Sequence, residues 1–335
     1  MKKLIALIAA MVMVAGFANA AEWNFYGSAR VSTFWTNAES ISTAAADVDQ
    51  FAEGLQGNSR IGANVKVSDE LSGRFEYGTG VNVRLLYGEW NFGGGTFLVG
   101  QTYTPLNLFY SNQVFGGDTD LLNVGGVYSG RAPMLRLKYG GFQIAAVTPV
   151  NTAIGGGATE STIPTIEAAY SFSAGNFSVK LAGGYNTYEE VVGTTSYDWD
   201  AWVVALGASA NFGMFKLGGN VYTGQNSGQL LWEGPGGANS PAIAGTQQLD
   251  MESLGYLIVA TTKINDMFSL ELGYAKLSTE LDGAVAEDDV SSYYAQAVIT
   301  MAPGVYVIPE IGVIDQDEAG QTKTTYFGAK WQINF

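Results

Sequence analysis

The sequence predicts an all-β fold, a transmembrane antiparallel β-barrel of about sixteen strands. Short segments of alternating apolar and polar residues fill the chain, and period two is typical of strands. After residue 20, no apolar run approaches the ~20 residues that a membrane-spanning helix needs. Short turns and long polar loops alternate between the segments, as in outer-membrane barrels. A soluble secreted β protein is the alternative, but its long loops would not all fall at one end of the sheet.

The first twenty residues are typical of a secretory signal peptide. A charged start, Met1-Lys2-Lys3, precedes an apolar run from Leu4 to about Val14, and Ala18-Asn19-Ala20 follows. The run is shorter than the ~20 residues of a spanning helix, which disfavours a membrane anchor. We expect cleavage after Ala20, export to the bacterial outer membrane, and a single barrel over residues 21–335.

Composition excludes several functions. Removing the two leader lysines changes the formal charge from −15 to −17, which argues against a nucleic-acid partner. The chain has no histidine and no cysteine, so the common catalytic triads and zinc sites cannot be assembled. We therefore expect a protein that is not an enzyme and has no cofactor and no metal site.

The first strands have a polar face that we expect to line a water-filled lumen. Residues 22–36, 58–68 and 72–78 alternate regularly, with a polar loop predicted over residues 37–57. The alternation breaks within residues 81–92, because Val83 and Leu85 are odd-numbered whereas Trp90 is even-numbered; this predicts a β-bulge near Gly88. Residues 132–140 and 141–149 form the next pair. The basic residues of these polar faces are Arg30, Arg60, Lys66, Arg74, Arg84, Arg136 and Lys138.

The second half of the chain is more regular. Strand pairs are predicted at 163–172 with 177–188, 198–211 with 214–223, 249–264 with 268–280, and 291–302 with 305–314, before a last strand at 322–335. Aromatic residues near strand ends are expected to form a girdle at the membrane interface. They are Trp23, Tyr139, Phe172, Phe177, Phe212, Phe215 and Phe268.

The segment from Tyr103 to Arg131 stands apart from this pattern. It contains several glycines and aspartates and has no clear period. Structureless segments of that length inside a compact domain are uncommon and usually functional. We expect residues 103–130 to fold into the bore of the barrel and narrow it.

Two motifs resemble the general bacterial porin family. Terminal Phe335, with Ile333, Trp331 and Phe327, is similar to the carboxy-terminal signature of such barrels. The run from Phe115 to Thr119, Phe-Gly-Gly-Asp-Thr, resembles part of the constriction loop of enteric porins, which is also the third long outer loop. The resemblance covers the whole mature chain. It implies a homotrimer in outer-membrane lipid, with a third loop folded inward opposite a ladder of arginines.

The resemblance also implies which residues form the constriction. Arg60-Ile61-Gly62 and Arg84-Leu85-Leu86-Tyr87 are similar to two arginine motifs of the family, and Arg131 follows a matching Gly-Gly-Val. Arg131 has the same parity as the apolar residues Leu135 and Leu137, which is wrong for a lumen-facing residue, so it points inward only if Pro133 marks a break in pairing.

The acidic residues depart from the family pattern. Val114 and Tyr110 occupy positions at which the family carries carboxylates. Asp118 is expected to anchor the loop through hydrogen bonds, and Asp120 is the nearest remaining carboxylate for the bore. The second long loop, a subunit latch in enteric porins, is nearly absent around residues 78–80.

These features predict a passive diffusion channel for small hydrophilic solutes and ions, weakly anion-preferring or poorly selective. Exposed loop acids are screened beyond ~8–10 Å, so the arginines should dominate at the constriction. One alternative is a substrate-specific channel for a sugar or an anion, to which Tyr103, Phe109 and Tyr110 contribute. Another is a structural or adhesive barrel with a plugged bore. Acidic clusters at 287–289 and 315–318 either bind divalent cations or are solvated loop charges.

Overall fold

The computed structural model describes residues 21–40, 47–234, 240–316 and 322–335. The predicted signal peptide lies outside the described residues. The described chain forms one large antiparallel sheet that closes on itself, which confirms the predicted sixteen-stranded barrel. Within these residues, no helix combines the length and the apolar character needed to cross a membrane.

Sixteen barrel strands account for the closed sheet, and two of them are interrupted. The strands β1 to β16 are Glu22–Ser40, Val48–Leu55 with Arg60–Lys66, Leu71–Gly78, Val83–Asn91, Thr96–Tyr103, Arg131–Tyr139, Phe142–Val147, Ala158–Glu160 with Thr165–Ala174, Phe177–Val192, Thr195–Phe212, Phe215–Gln225, Met251–Lys263, Phe268–Leu281, Asp288–Ala302, Val305–Gln316 and Thr322–Asn334.

Smaller elements lie in the connections between these strands. They are two short strand pairs, Asn107–Leu108 with Val127–Tyr128 and Ala242–Ala244 with Gln247–Leu249, one tight turn at Phe115–Asp118, and one 3₁₀ turn at Ser227–Gln229.

The two chain ends close the barrel. Strand β1 pairs with β16 from Ser28 opposite Asn334 to Ser40 opposite Thr322. Phe335 continues this ladder through two hydrogen bonds with Gly27. The Gly27 N–H donates to the Phe335 carbonyl at 2.6 Å, and the Phe335 N–H donates to the Gly27 carbonyl at 3.0 Å. A Cβ at Gly27 would lie 2.5 Å from the Phe335 ring, so a glycine is needed beneath this aromatic side chain.

The predicted strand pairs are confirmed, but their lengths are not. Strands β9 and β10 continue until only residues 193–194 connect them. The polar loop predicted over residues 37–57 is wrong, because Val48–Leu55 pairs with the outer half of β1, Leu55 opposite Val31 and Val48 opposite Ala38. Polar residues beyond the membrane can extend a strand without an apolar face, which is why the alternation gave no signal here.

The β-bulge occurs at Arg84 rather than near Gly88. Pairing between β3 and β4 shifts after Glu76, which lies opposite Leu85, whereas Tyr77 lies opposite Val83. The extra residue, Arg84, and its neighbour Leu85 are consequently both buried. Strict alternation with the lumen-facing Arg84 would put Leu85 on the outer face, but the bulge puts Leu86 there instead.

The outer face of the barrel has a defined apolar belt. On β10, the outward residues are polar at Ser196, Asp198 and Asp200 and apolar from Trp202 to Phe212. That apolar stretch has about the 9–11 residues that a tilted strand needs to cross a bilayer. The aromatic residues predicted at strand ends are all exposed, and each lies at the short-turn end of its strand.

A charge in the middle of this belt should destabilise the barrel. We expect Leu206→Arg to lower the free energy of unfolding by about 2–4 kcal/mol, the cost of a lipid-facing arginine near the bilayer midplane. The measurement is urea unfolding in phospholipid vesicles. Asp200→Arg, on the same face but above the belt, is the matched control. Equal destabilisation by both variants would contradict the assignment of the belt.

Candidate pore constriction

Residues 104–130, here called the constriction segment, lie against the sheet face opposite the exposed apolar belt. Their apolar side chains are buried, and they pack against small or branched residues of the strands. The buried side chains include Leu106, Leu108, Val114, Leu121, Val124 and Val127 of the segment, with Ala182, Ala201, Val203, Ala205 and Val259 of the strands.

Three buried carboxylates of the strands accept hydrogen bonds from the backbone of the constriction segment. Glu167 on β8 accepts from Leu106 N at 2.8 Å. Glu271 on β13 accepts from Asn112 N at 2.8 Å and also binds the Asn112 side-chain amide. Glu310 on β15 accepts from Val114 N at 2.6 Å and Phe115 N at 3.1 Å. A buried backbone N–H needs such a partner, so these carboxylates fix the path of the segment.

Donors of the strands satisfy carbonyl groups of the same segment. Lys180 Nζ donates to the Asn107 carbonyl at 2.8 Å, and Asn220 Nδ2 donates to the Gly125 carbonyl at 2.8 Å. Gln296 Nε2 donates to the Asn112 carbonyl at 3.0 Å. The hydrogen bonds of the segment thus reach strands β8, β9, β11 and β13–β15.

Asp118 occupies the turn at the tip of the segment. Its carboxylate accepts from Arg30 Nη1 on β1 at 2.6 Å, from Lys330 Nζ on β16 at 2.9 Å and from Asn58 Nδ2 at 2.7 Å. The Asp118 and Lys330 side chains are both 9% exposed. Arg30, expected only to face the lumen, is therefore a partner of this turn.

The tip has a strained backbone. Gly116 and Gly117 have φ values of 64° and 82°, and the non-glycine residues Asp118, Asp120 and Leu121 have φ values of 65°, 55° and 55°. Residues with side chains rarely adopt this left-handed conformation, at a cost of about 1–2 kcal/mol each. The surrounding hydrogen bonds must offset this strain.

A second cluster joins arginines of β2, β3 and β4 to one buried glutamate. Glu76 is 2% exposed and accepts from Arg84 Nε at 2.7 Å and from Tyr26 Oη at 2.8 Å. Arg74 Nη2 lies 3.2 Å from this carboxylate, and Arg60 Nη1 lies 3.6 Å from it. The bulge at Arg84 turns its guanidinium toward Glu76. Three positive charges therefore share one negative charge.

The other predicted basic residues occupy different surroundings. Arg131 Nη1 donates to Tyr103 Oη at 3.1 Å. Pairing with β5 continues regularly through Pro133, so Pro133 does not mark the break that an inward Arg131 was expected to require. The Arg131 guanidinium nevertheless lies over the Tyr103 ring, which is within electrostatic reach of Arg60. Arg136 is buried and lies 3.7 Å from Glu89. Lys66 is exposed at a short turn and pairs with Asp69 at 2.7 Å. Lys138 is half-buried.

The segment positions where the resemblance places acids turn toward the strands. Val114 is buried, and Tyr110 lies over Gly207 and Gly218, where an added Cβ at Gly207 would be 2.3 Å from Tyr110 Oη. Burial raises the pKa of Asp120 well above its usual value, and the neighbouring Asp118 carboxylate raises it further. This shift disfavours a negative charge at Asp120.

The acidic outer clusters are partly neutralised by lysines. Asp289 pairs with Lys276 at 2.7 Å, and Asp315 pairs with Lys323 at 2.9 Å. Residues 317 and 318 lie outside the described residues. Within the part of the chain that the structure describes, no group of three acidic side chains converges as a metal site would require.

Sequence reasoning missed two groups of carboxylates: Glu76, which joins the arginines, and the three strand glutamates that bind the backbone of the constriction segment. Glu76 shares the polar face of β3 with Arg74, so its alternation could have indicated a lumen-facing acid. Glu167, Glu271 and Glu310 also alternate with apolar residues on their strands. Their partners lie between 61 and 196 positions away in the chain, a separation that no local pattern reports.

Comparisons with known proteins agree with this geometry. The profile of the Gram-negative porin family matches residues 6–320. The chain belongs to that family. Family membership and the barrel fold support an outer-membrane diffusion channel. A comparison with curated protein sequences finds no match.

Solved structures share the fold of this porin at low sequence identity. The outer membrane channel DcaP of Acinetobacter baumannii matches with a TM-score of 0.77 and 18% identity over 94% of this chain and 97% of that chain. The anion-selective porin from Comamonas acidovorans matches with a TM-score of 0.63 and 15% identity over 94% and 100%. The trimer form of OmpT from Vibrio cholerae matches with a TM-score of 0.60 and 17% identity over 95% and 100%.

A second connection of this porin packs on the constriction segment. Residues 226–234 donate two backbone hydrogen bonds to it, Trp232 N to the Tyr128 carbonyl at 2.8 Å and Gly234 N to the Asn123 carbonyl at 3.0 Å. Between them, Glu233 Oε1 accepts from Tyr222 Oη and Ser227 Oγ, both at 2.8 Å. Burial raises the pKa of Glu233 to about 7.

Removing the charge of Asp118 should loosen the constriction segment. Asp118→Asn leaves Arg30 and Lys330 without their counter-charge, and breaking a buried pair costs about 3–5 kcal/mol. We expect a lower unfolding free energy and greater fluctuation of the open-channel current. Asp69→Asn, which breaks an exposed pair, should change neither quantity. Equal current fluctuation in the two variants would show that Asp118 does not hold the segment.

Docking of residues 226–234 should weaken as pH rises. The docked loop binds the Glu233 proton more tightly than a released loop, whose carboxyl has its usual pKa. As pH rises from the usual carboxyl pKa to about 7, the released loop loses its proton first, so increasing pH favours release of residues 226–234 from the constriction segment. Hydrogen exchange at Trp232 and Gly234, corrected for intrinsic rates, should be faster at pH 8 than at pH 5. In Glu233→Gln the difference should vanish; its persistence would assign the pH dependence to another group.

Proposed function

We propose that this porin is a passive diffusion channel of the bacterial outer membrane for small hydrophilic solutes and ions, with weak anion preference or poor selectivity. The constriction segment folds into the bore and leaves a slot between itself and the arginine wall of β2–β4. The contacts with Glu167, Glu271 and Glu310 carry this proposal, since they tie the segment to the side of the barrel away from that wall. The mature chain begins after Ala20 and assembles as a homotrimer, for which the trimeric neighbour gives support.

Selectivity follows from the charges beside the slot. Arg60, Arg74 and Arg84 surround one glutamate, Glu76, so the wall keeps a net positive charge. On the segment side, Asp118 is already shared by Arg30 and Lys330, and Asp120 is disfavoured as an anion. The negative charge of Glu76 makes the wall less positive than the three arginines alone would make it. Weak rather than strong anion preference is the result.

Loop acids have a different effect from the wall. The excess of acidic residues in the chain lies largely away from the slot, and exposed charges act over only ~8–10 Å at physiological salt. They raise the local concentration of cations at the outer mouth. A hydrated ion in the slot meets the guanidinium groups at much shorter range, so the slot sets the preference.

Reversal potentials across planar bilayers in a salt gradient test this proposal. The wild type should show near-zero or weakly anion-preferring values, and strong cation preference would refute it. Arg84→Ala should shift the permeability ratio toward cations by about twofold. Two unit charges 4 Å apart in water interact by ~1 kcal/mol, which corresponds to about fivefold, so the expected shift is smaller than this limit. Glu76→Gln should shift it toward anions. Lys263→Ala, at an exposed turn, is the control and should leave it unchanged.

A further inference from the structure

Four aromatic rings form a continuous file from residues 226–234 to Arg131 on β6. The centroids of Trp232 and Tyr128 are 6.1 Å apart, and Tyr128 lies 6.0 Å from Phe109 and 6.3 Å from Tyr103. Phe109 and Tyr103 are 5.2 Å apart. The guanidinium carbon of Arg131 lies 5.2 Å from the centre of the Tyr103 ring, so the file ends on a positive charge.

Two rings of the file, those of Phe109 and Trp232, are unusually exposed. Phe109 is 49% exposed and Trp232 is 46% exposed, although both belong to connections and not to the apolar belt. Apolar surface that faces a water-filled channel is unfavourable unless something binds there, and exposed apolar patches commonly mark binding sites. Most other exposed aromatic side chains of this porin lie on the outer face of the strands.

The file is held in place before any solute arrives. The backbone hydrogen bonds of Trp232 and Gly234 join the two connections that carry it. Tyr103 extends from the end of β5, and the buried strand carboxylate Glu167 binds Leu106 N and, at 2.5 Å, Ser129 Oγ, next to Tyr128. Such preorganisation reduces the entropy that a ligand loses on binding.

Charge selects among the ligands that the rings accept. Aromatic faces alone also attract cations. Here the Arg131 guanidinium already lies over the Tyr103 ring, Tyr103 is within electrostatic reach of Arg60, and Tyr128 is within reach of Arg131 and Arg84. A cation would meet these charges, whereas a carboxylate would pair with them.

We propose that this file is a binding path for solutes that carry both a planar ring and a carboxylate. The ring stacks on Trp232 and Phe109, and the carboxylate pairs with Arg131. The inference rests on the proposed channel function. It adds that binding to the file aids the passage of aromatic carboxylates.

Benzoate is the probe that tests the file. In planar bilayers it should reduce the single-channel current in a saturable manner, with an affinity about tenfold higher than that of acetate, benzyl alcohol or phenyltrimethylammonium. Calorimetric titration of the detergent-solubilised protein should give the same order. This second measurement does not depend on conduction.

Variants assign the effect to the file. Trp232→Leu and Phe109→Leu should each weaken benzoate binding about three- to tenfold, the effect of losing one aromatic stacking contact. Arg131→Gln should reduce the preference for benzoate over benzyl alcohol. Trp202→Leu, on the outer face, should bind benzoate as the wild type does.

The outcomes separate the inference from the channel function. Normal conductance with no benzoate binding, or with equal binding of benzoate and acetate, overturns the aromatic path and leaves the channel intact. Benzoate binding that is unaffected by Trp232→Leu and Phe109→Leu also overturns it. Absence of conductance refutes the channel, and calorimetry then still decides whether the file binds benzoate.

Discussion

The hydrogen bonds between buried strand carboxylates and the backbone of the constriction segment are the interactions on which the rest of this porin depends. An irregular segment packed against the strands has no ladder for its N–H and C=O groups, and each unpaired buried group costs free energy. Glu167, Glu271 and Glu310 supply acceptors at three successive points of the segment. The same arrangement recurs above the belt, where Glu190 accepts from Ile154 N, Gly155 N and Gly157 N. Strand carboxylates thus position the long connections of this barrel.

Because many acidic side chains have partners within the protein, the net charge of the chain does not describe the charge that a solute meets. Several acidic residues of the chain, Glu167, Glu271 and Glu310, are buried and accept hydrogen bonds from backbone N–H groups. Asp118 and Glu76 are instead shared among basic side chains, two for Asp118 and three for Glu76. The net charge of the chain is therefore a poor guide to the charge beside the constriction segment. Which partner each acid has decides its effect on a passing ion.

Much of this architecture could be predicted from period-two alternation, because the membrane makes the outer face of each strand apolar. The alternation identified the sixteen strands and the polar faces of Arg60, Arg74 and Arg84. It failed where the membrane imposes no such pattern, as at Val48–Leu55, and where a bulge shifts the phase, as at Leu85.

The candidate site was less predictable. The motif around Asp118 indicated the tip of the segment, but its partners Arg30 and Lys330 lie 88 and 212 positions away in the chain. Lys330 and Glu310 carry no local signal of their role, since an isolated charge on a strand is equally typical of a solvated wall. Barrel closure brings these residues together, and the local sequence does not encode it.

Thiol modification inside the bore tests the central claim most directly, because the chain contains no cysteine of its own. Phe109→Cys places one thiol on the constriction segment, and Val285→Cys places one on an exposed outer connection. If the segment narrows the bore, a charged methanethiosulfonate reagent should lower the single-channel current of Phe109→Cys in one irreversible step per subunit and leave that of Val285→Cys unchanged. Complete labelling of Phe109→Cys with no change in current would contradict the account.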